Sequence, residues 1–360
     1  MKQITIQTAS KTYDVRIGVE MTNEIVSFIK KSFPDVSKLW LIADESVYKL
    51  HGQTFSKDLA QSFDVTIYQA PKGEKAKTFA TYEEAITHGL KHHVDRKSIV
   101  IAFGGGAIGD LAGFIASTYM RGIPFIGVPT TILAHDSAVG GKVAINHPLG
   151  KNMVGQFYQP EGVFFDLNYF SSLPETEILS GFAEVIKHAF LSDQEFLQKL
   201  MHSFRSPAKL DEDFLTDCLI KGIQVKGDIV SKDERESNIR AFLNFGHTYG
   251  HAVESASGYG NRTHGESVMI GMVYALYLSE RCCNLSFDME RFIGWIESLG
   301  YNLKVPSNIG FDTLYEGMKR DKKSLNGNPV FVLLKDIGEP VLADVTDEDL
   351  KQADAYIRQL

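Results

Sequence analysis

An α/β chain in which a helix-wrapped parallel sheet precedes a mainly α-helical domain is predicted by three features of the sequence. From residue 1 to about 165, short β-rich runs alternate with helical stretches, the pattern of parallel strands joined by crossover helices. After Leu173-Pro174 the strand runs nearly vanish and long apolar patterns of helical period take over. A glycine-rich turn, Gly104 to Asp110, lies between a continuous apolar run and a helical stretch.

The elements follow in order. Met1-Lys-Gln-Ile-Thr-Ile reads as an early strand, and apolar runs at 39–43, 65–68, 99–103, 125–128 and 163–165 read as the sheet. Residues 111–119 continue the glycine turn as a helix. The segment 167–174 is the natural boundary, so residues 1–170 form the first domain and 171–360 the second. Helical spacing then marks 175–191, 210–231, 243–257 and 265–283. Pro329-Val-Phe-Val-Leu-Leu and Gly338-Glu-Pro-Val-Leu read as a small hairpin before a terminal helix. The cleft between the two halves is the expected place for chemistry.

Composition excludes several classes. A hydrophobic content of 44% with 23% charged residues is globular. No apolar run approaches the roughly 20 residues that cross a bilayer, so no membrane role is expected. The N-terminus lacks the charged region, apolar stretch and cleavage site of an export signal. Cys218, Cys282 and Cys283 offer neither a disulfide framework nor a paired metal spacing, which suits a cytoplasmic protein. A net charge of -8 argues against general nucleic-acid binding, while leaving room for a local basic pocket that takes a small anion.

The glycine turn gives the first domain a Rossmann-like reading. Glycines let the backbone approach a phosphate, and the helix N-terminus adds unpaired N–H groups and the positive end of a dipole, so a pyrophosphate fits there. The turn follows the fourth or fifth strand rather than the first, unlike the usual dinucleotide fingerprint. Asp44, at a strand end, is placed to take ribose hydroxyls, and Thr130 and Thr131 add hydroxyls at another strand end.

Metal-ligand candidates gather in the second half. Asn244-Phe-Gly-His247-Thr-Tyr-Gly-His251 puts two histidines four apart, on one helix face. Two His and one carboxylate form a common zinc ligand set that leaves a coordination position open. Ala183-Glu184-Val-Ile-Lys187-His188 and His264-Gly265-Glu266 supply the partners, and spacing alone does not choose among Glu184, His188, His251, His264 and Glu266.

Cationic and amide side chains surround these motifs. Lys142 follows Gly140-Gly141, and Lys151-Asn152 follows Gly150; a lysine beside flexible backbone reaches phosphate or carboxylate oxygens with little hindrance. Lys187 lies three residues from Glu184 on the same helical stretch. Lys226, Arg240, Asn244 and His251 follow, and together the set suits phosphate plus carboxylate.

Six ordered motifs carry a family likeness: Gly104-Gly-Gly-Ala-Ile-Gly-Asp-Leu-Ala-Gly-Phe, Val128-Pro-Thr-Thr-Ile-Leu, Asp136-Ser-Ala-Val-Gly-Gly-Lys, Gly150-Lys-Asn, Gly181-Phe-Ala-Glu-Val-Ile-Lys and Asn244-Phe-Gly-His-Thr-Tyr-Gly-His. The chain resembles the 3-dehydroquinate synthases over most of its length, the first 35 and last 70 residues being less diagnostic. That resemblance implies an NAD-dependent cyclase using Zn2+ or Co2+. It would convert 3-deoxy-D-arabino-heptulosonate 7-phosphate to 3-dehydroquinate and phosphate, the second step of the shikimate pathway to chorismate and the aromatic amino acids. Transient oxidation, phosphate elimination, re-reduction and aldol closure would give no net redox change.

The resemblance also implies roles. Metal ligands would be Glu184, His247 and His264. Substrate contacts would be Asp136, Lys142, Lys151, Asn152, Lys187, Lys226, Arg240, Asn244, His251 and one of Lys322 or Lys323. Of these, Lys142, Lys151, Asn152 and Lys187 would act catalytically with Glu184, and His251 would handle the proton at the C5 hydroxyl. Arg121 would reach the partner subunit's site, implying a homodimer. NAD contacts would include Asp44, Glu74, Lys77, Gly105, Gly106, Ala107, Asp110, Thr130, Thr131 and Leu133, with Asp136, Lys142 and Lys151 shared with the substrate. Ala138 departs from the many relatives that carry a second Ser there.

Two rivals share the fold, NAD and metal: other sugar-phosphate cyclases of the inosose or valiolone type, and NAD- and metal-dependent polyol dehydrogenases. Retaining Lys226, Arg240, Asn244 and His251 together favours a substrate with a carboxylate, and a polyol dehydrogenase would release NADH.

Overall fold

The computed structural model describes residues 1–258, 261–319 and 329–360. Two compact units emerge, Met1–Leu173 with Lys226–Arg235, and Pro174–Val225 with Glu236–Leu360.

The first unit is built on nine strands: β1 (Lys2–Gln7), β2 (Thr12–Gly18), β3 (Leu39–Asp44), β4 (Val65–Ala70), β5 (Ile99–Gly104), β6 (Phe125–Pro129), β7 (Lys142–His147), β8 (Gly150–Phe157) and β9 (Gly162–Asp166). Seven of them form one sheet in the order β1-β2-β9-β6-β5-β3-β4, parallel except for the β1–β2 hairpin. Every residue of β3, β5, β6 and β9 is buried, as expected of strands covered on both faces, and these are the apolar runs read from the sequence. β2 has no counterpart among those runs, because its buried Tyr13, Val15 and Ile17 alternate with polar residues and form no continuous apolar run.

Strand order reverses at β3, whose chain continues outward to β4 and then returns to its other side as β5. In open parallel sheets, ligands bind at the carboxyl ends of the strands flanking such a reversal. Asp44 ends β3 and the glycine turn ends β5. The turn is shorter than its glycine content suggests: Gly105 is already the N-cap of helix Gly106–Thr118.

β7 and β8 form a separate antiparallel hairpin. Lys142 and Lys151 therefore stand on strands, not on flexible glycine loops. The Val143-Ala144-Ile145 run between them is too short to stand out among the glycines.

The second unit is mainly helical: Glu175–Ser192, Gln194–Ser203, most of Glu212–Lys232, His247–Ala256, His264–Cys283, Met289–Leu299, Phe311–Lys319 and Asp347–Ile357. Helix His264–Cys283 is buried along most of its length, so it takes apolar residues on nearly every face. The small hairpin expected near the C-terminus pairs Phe331–Leu334 with Pro340–Ala343. Helix Asp347–Ile357 is fastened to the unit's centre by polar bonds in an apolar setting. The Tyr249 hydroxyl donates to Asp354 at 2.7 Å, the Tyr274 hydroxyl donates to the Leu350 carbonyl at 2.8 Å, and the two rings stack 3.9 Å apart. Among the described residues, no helix is long and apolar enough to cross a membrane.

Candidate functional site

Three helices of the second unit bring Glu184, His247 and His264 together. Glu184 lies mid-helix in Glu175–Ser192 and is 1% exposed. His247 and His264 each open a helix, and both point Nε2 at the same carboxylate oxygen, Glu184 Oε1, at 3.4 and 3.3 Å. Donors about 2.0–2.2 Å from a tetrahedral ion stand about 3.3–3.6 Å apart, so these separations match the edges of a zinc-type coordination shell.

The remaining nitrogens fix what those Nε2 atoms offer. His247 Nδ1 donates to the Phe245 carbonyl at 3.1 Å, and His264 Nδ1 donates to Glu254 Oε2 at 2.9 Å. With the proton held on Nδ1, the neutral form of each ring turns its Nε2 lone pair toward Glu184. Two lone pairs and an anionic oxygen converging on one point is an arrangement that a divalent cation satisfies, so the residues fit the metal.

The electrostatics agree. Burial would raise the Glu184 carboxyl, but Lys187, at 2.5 Å, and His247 hold it well below the usual carboxylate range. Burial takes His247 down to about 4, against the pull of Glu184. For His264 burial also acts downward, yet Glu184 and Glu254 on its two nitrogens raise it to about 9. Glu184 is thus held ionised and His247 neutral, the forms in which a carboxylate and an imidazole bind a cation.

The alternatives left open by spacing divide on structure. Glu266 is committed to a capping box, accepting from the Thr263 amide and hydroxyl at 2.9 Å each. His188 is fully buried. His251 is exposed, and one of its ring nitrogens comes within 4.8 Å of ligand atoms of His247 and His264. It stands beside the trio, near enough to His247 and His264 to join them around a cation.

Close helix packing makes this convergence possible. Gly246 has φ +80, a left-handed conformation that L side chains rarely adopt, and it turns the chain into the helix that His247 begins. Gly271, on helix His264–Cys283, lies so near that a Cβ there would stand 1.8 Å from the Gly246 carbonyl oxygen.

Glu254 was not among the residues picked out in the sequence. Its signal was its place on the helix of His247 and His251, seven and three residues on. As the carboxylate that orients His264, it should govern metal retention. Glu254→Gln is expected to weaken metal binding by about tenfold or more. Excess Zn2+ should restore turnover; unchanged metal retention during dialysis would refute the orienting role.

Other sequence candidates fall as follows. In the second unit, Lys187 is 1% exposed against Glu184, Arg240 is buried, and the Asn244 amide donates to Ala241 and Glu236. In the first, Lys226 pairs with Asp136 at 3.0 Å. Lys77, also buried, pairs with Asp110 at 2.5 Å and donates to Asn152. Burial raises Asp110 despite Lys77. Burial would raise Glu74 too, but Lys77 and Lys151 lower it. Asp44 uses both oxygens on the chain itself, accepting from Ser46, Val47 and Gly73 amides. Arg121 is exposed on a turn where Met120, Arg121 and Gly122 all have positive φ. Lys322 and Lys323 lie outside the described residues.

For a dinucleotide, the fit rests on the glycine turn. Gly105, Gly106, Gly109, Ser137, Ala138 and Lys142 help line one cavity. Helix Gly106–Thr118 begins beside it, and the first amides of a helix lack intrahelical acceptors. Thr130, Thr131 and Leu133 follow β6 in the same unit, and Ala107 lies in the helix's first turn.

Known proteins resemble the chain along nearly its whole length. Residues 67–180 match the family profile described as 3-dehydroquinate synthase N-terminal, and 181–324 match that described as 3-dehydroquinate synthase C-terminal. A 3-dehydroquinate synthase of Listeria innocua is 49% identical over 348 residues, covering 97% of this chain and 95% of the relative. One from Bacillus pumilus is 46% identical over 352 residues, covering 98% and 97%. Among solved structures, 2-deoxy-scyllo-inosose synthase complexed with carbaglucose-6-phosphate, NAD+ and Co2+ superposes with a TM-score of 0.89 at 26% identity, covering 99% of each chain. Identity is thus far higher to dehydroquinate synthases than to this inosose synthase. With its fold, its motifs in order and near-complete coverage of such relatives, the chain belongs to the 3-dehydroquinate synthase family.

Proposed function

We propose that this enzyme is a phosphate-eliminating carbon–oxygen lyase, dependent on NAD and on Zn2+ or Co2+. It converts 3-deoxy-D-arabino-heptulosonate 7-phosphate to 3-dehydroquinate and phosphate. The observation that carries the reading is the meeting of His247 Nε2, His264 Nε2 and Glu184 Oε1 in a chain 49% identical to a dehydroquinate synthase. When bound, NAD supplies reversible hydride acceptance and the cation supplies Lewis acidity.

The chain's own residues do the rest. Glu184, His247 and His264 hold the cation. Lys187, buried against Glu184, keeps that carboxylate ionised and adds fixed positive charge where substrate oxygens gain negative charge. Lys142, Lys151 and Asn152 bind the phosphate and carry its charge as it leaves. Arg240, Asn244 and Lys226 are assigned to the carboxylate and hydroxyls, with Asp136 holding Lys226 in place. His251 exchanges the hydroxyl proton from its exposed position. The amides of the glycine turn take the NAD pyrophosphate. A homodimer in the cytoplasm, with Arg121 contributed across the dimer, completes the reading.

Incubation with the heptulosonate phosphate, catalytic NAD and Zn2+ tests it. Phosphate and the cyclic product are expected in equal amounts without accumulating NADH. Steady NADH release with an alcohol would identify a polyol dehydrogenase instead. Phosphate release from a hexose phosphate but not from the heptulosonate would identify an inosose-type cyclase.

A further inference from the structure

We propose that Asn146 is a positioning residue for the reaction, holding Lys151 and Asn152 in register; the proposal rests on the substrate role given to those two residues above. In the β7–β8 hairpin, Ile145 pairs with Val154 and His147 with Gly150, so Asn146 alone opposes Lys151, Asn152 and Met153. Bulges of this kind re-aim side chains and give up ladder hydrogen bonds. Asn152, inside the bulge, has φ +57.

Asn146 replaces what the ladder loses. Its Oδ1 accepts from the Asn152 amide at 2.8 Å, its Nδ2 donates to Glu74 Oε2 at 2.8 Å, and its own amide donates to the Lys77 carbonyl at 2.8 Å. Two of the three bulged residues are then reached through its partners: Glu74 Oε1 pairs with Lys151 Nζ at 3.4 Å, and Lys77 Nζ donates to the Asn152 side chain. The donor and acceptor ends of the amide are dictated by those partners, a carboxylate on one side and an N–H on the other. Aspartate lacks the donor and alanine lacks both. No direct contact with substrate is required; Asn146 acts through Lys151 and Asn152.

The test is a double-mutant cycle on the NAD- and Zn2+-loaded enzyme with the heptulosonate phosphate, comparing Asn146→Ala, Lys151→Ala and the double variant. Asn146→Ala is expected to lower kcat by about tenfold or more, with a smaller change in KM, because a misplaced group loses transition-state contact. The double variant should lose clearly less than the product of the two single losses, because the part of the Asn146 effect that acts through Lys151 is already gone and only the part through Asn152 remains. Losses that multiply would show that Asn146 acts generally on the fold, and an unchanged kcat in Asn146→Ala beside a large loss in Lys151→Ala would overturn the positioning role alone. An unchanged rate in Lys151→Ala would overturn the substrate role of Lys151 and the proposal with it. If Asn146→Ala does not fold, Asn146→Asp takes its place in the cycle. It keeps the acceptor for Asn152 and sets a carboxylate against Glu74, and the same coupling is expected.

Discussion

His247→Ala is expected to abolish both bound metal and turnover while leaving the protein folded. The substitution removes one of two nitrogens aimed at Glu184 Oε1, leaving a two-residue ligand set. Lewis-acid stabilisation of developing charge is worth several kcal/mol, so a rate loss on the order of a thousandfold or more follows. The fold survives because the remaining buried charge is still paired: Lys187 stays 2.5 Å from Glu184, sparing the cost of an isolated buried carboxylate. Metal analysis, far-ultraviolet circular dichroism and phosphate release on one preparation check all three parts. Full turnover in metal-stripped protein would remove the cation from the chemistry.

Gly271→Ala should be the most damaging single methyl group in the second unit. The new Cβ would lie 1.8 Å from the Gly246 carbonyl oxygen and 2.8 Å from the Gly250 amide nitrogen, both backbone atoms that cannot rotate away. Relief requires the two helices to separate by more than an ångström, at a cost of roughly 2–4 kcal/mol. The thermal midpoint of this unit should fall by about 5–15 °C. Because Gly246 immediately precedes His247, metal affinity should fall as well, measured by competition with a chromogenic chelator. A midpoint within a degree of the unmodified enzyme would contradict the packing argument.

What was legible in the sequence follows physical lines. Strands β3, β5, β6 and β9 are buried from end to end, so they appear as unbroken apolar runs. Helices Glu175–Ser192 and His264–Cys283 lie within a residue or two of their periodic stretches. The β7–β8 hairpin escaped notice because β8 is mostly exposed and carries no apolar alternation. At the candidate metal centre, spacing exposed the His247–His251 pair, and both lie close enough to His264 to hold a cation with it. Glu184 Oε1 is reached by His247 and His264, which come from different helices, and no local spacing encodes such a meeting. Choosing Glu184 and His264 therefore needed the family likeness. Glu254 was missed for the same reason, its partner lying ten residues on, past a helix end.

The anchoring of helix Asp347–Ile357 reaches further than its distance from the chemistry suggests. Tyr249 sits between His247 and His251 on their shared helix, and its hydroxyl is held by Asp354, 105 residues downstream. Drift at Asp354 would leave a phenol without its acceptor in an apolar interior and let that helix turn about its axis, carrying an imidazole away from its oxygen. Through that one hydroxyl, a terminal helix bears on how an imidazole is presented on a helix far upstream in the chain.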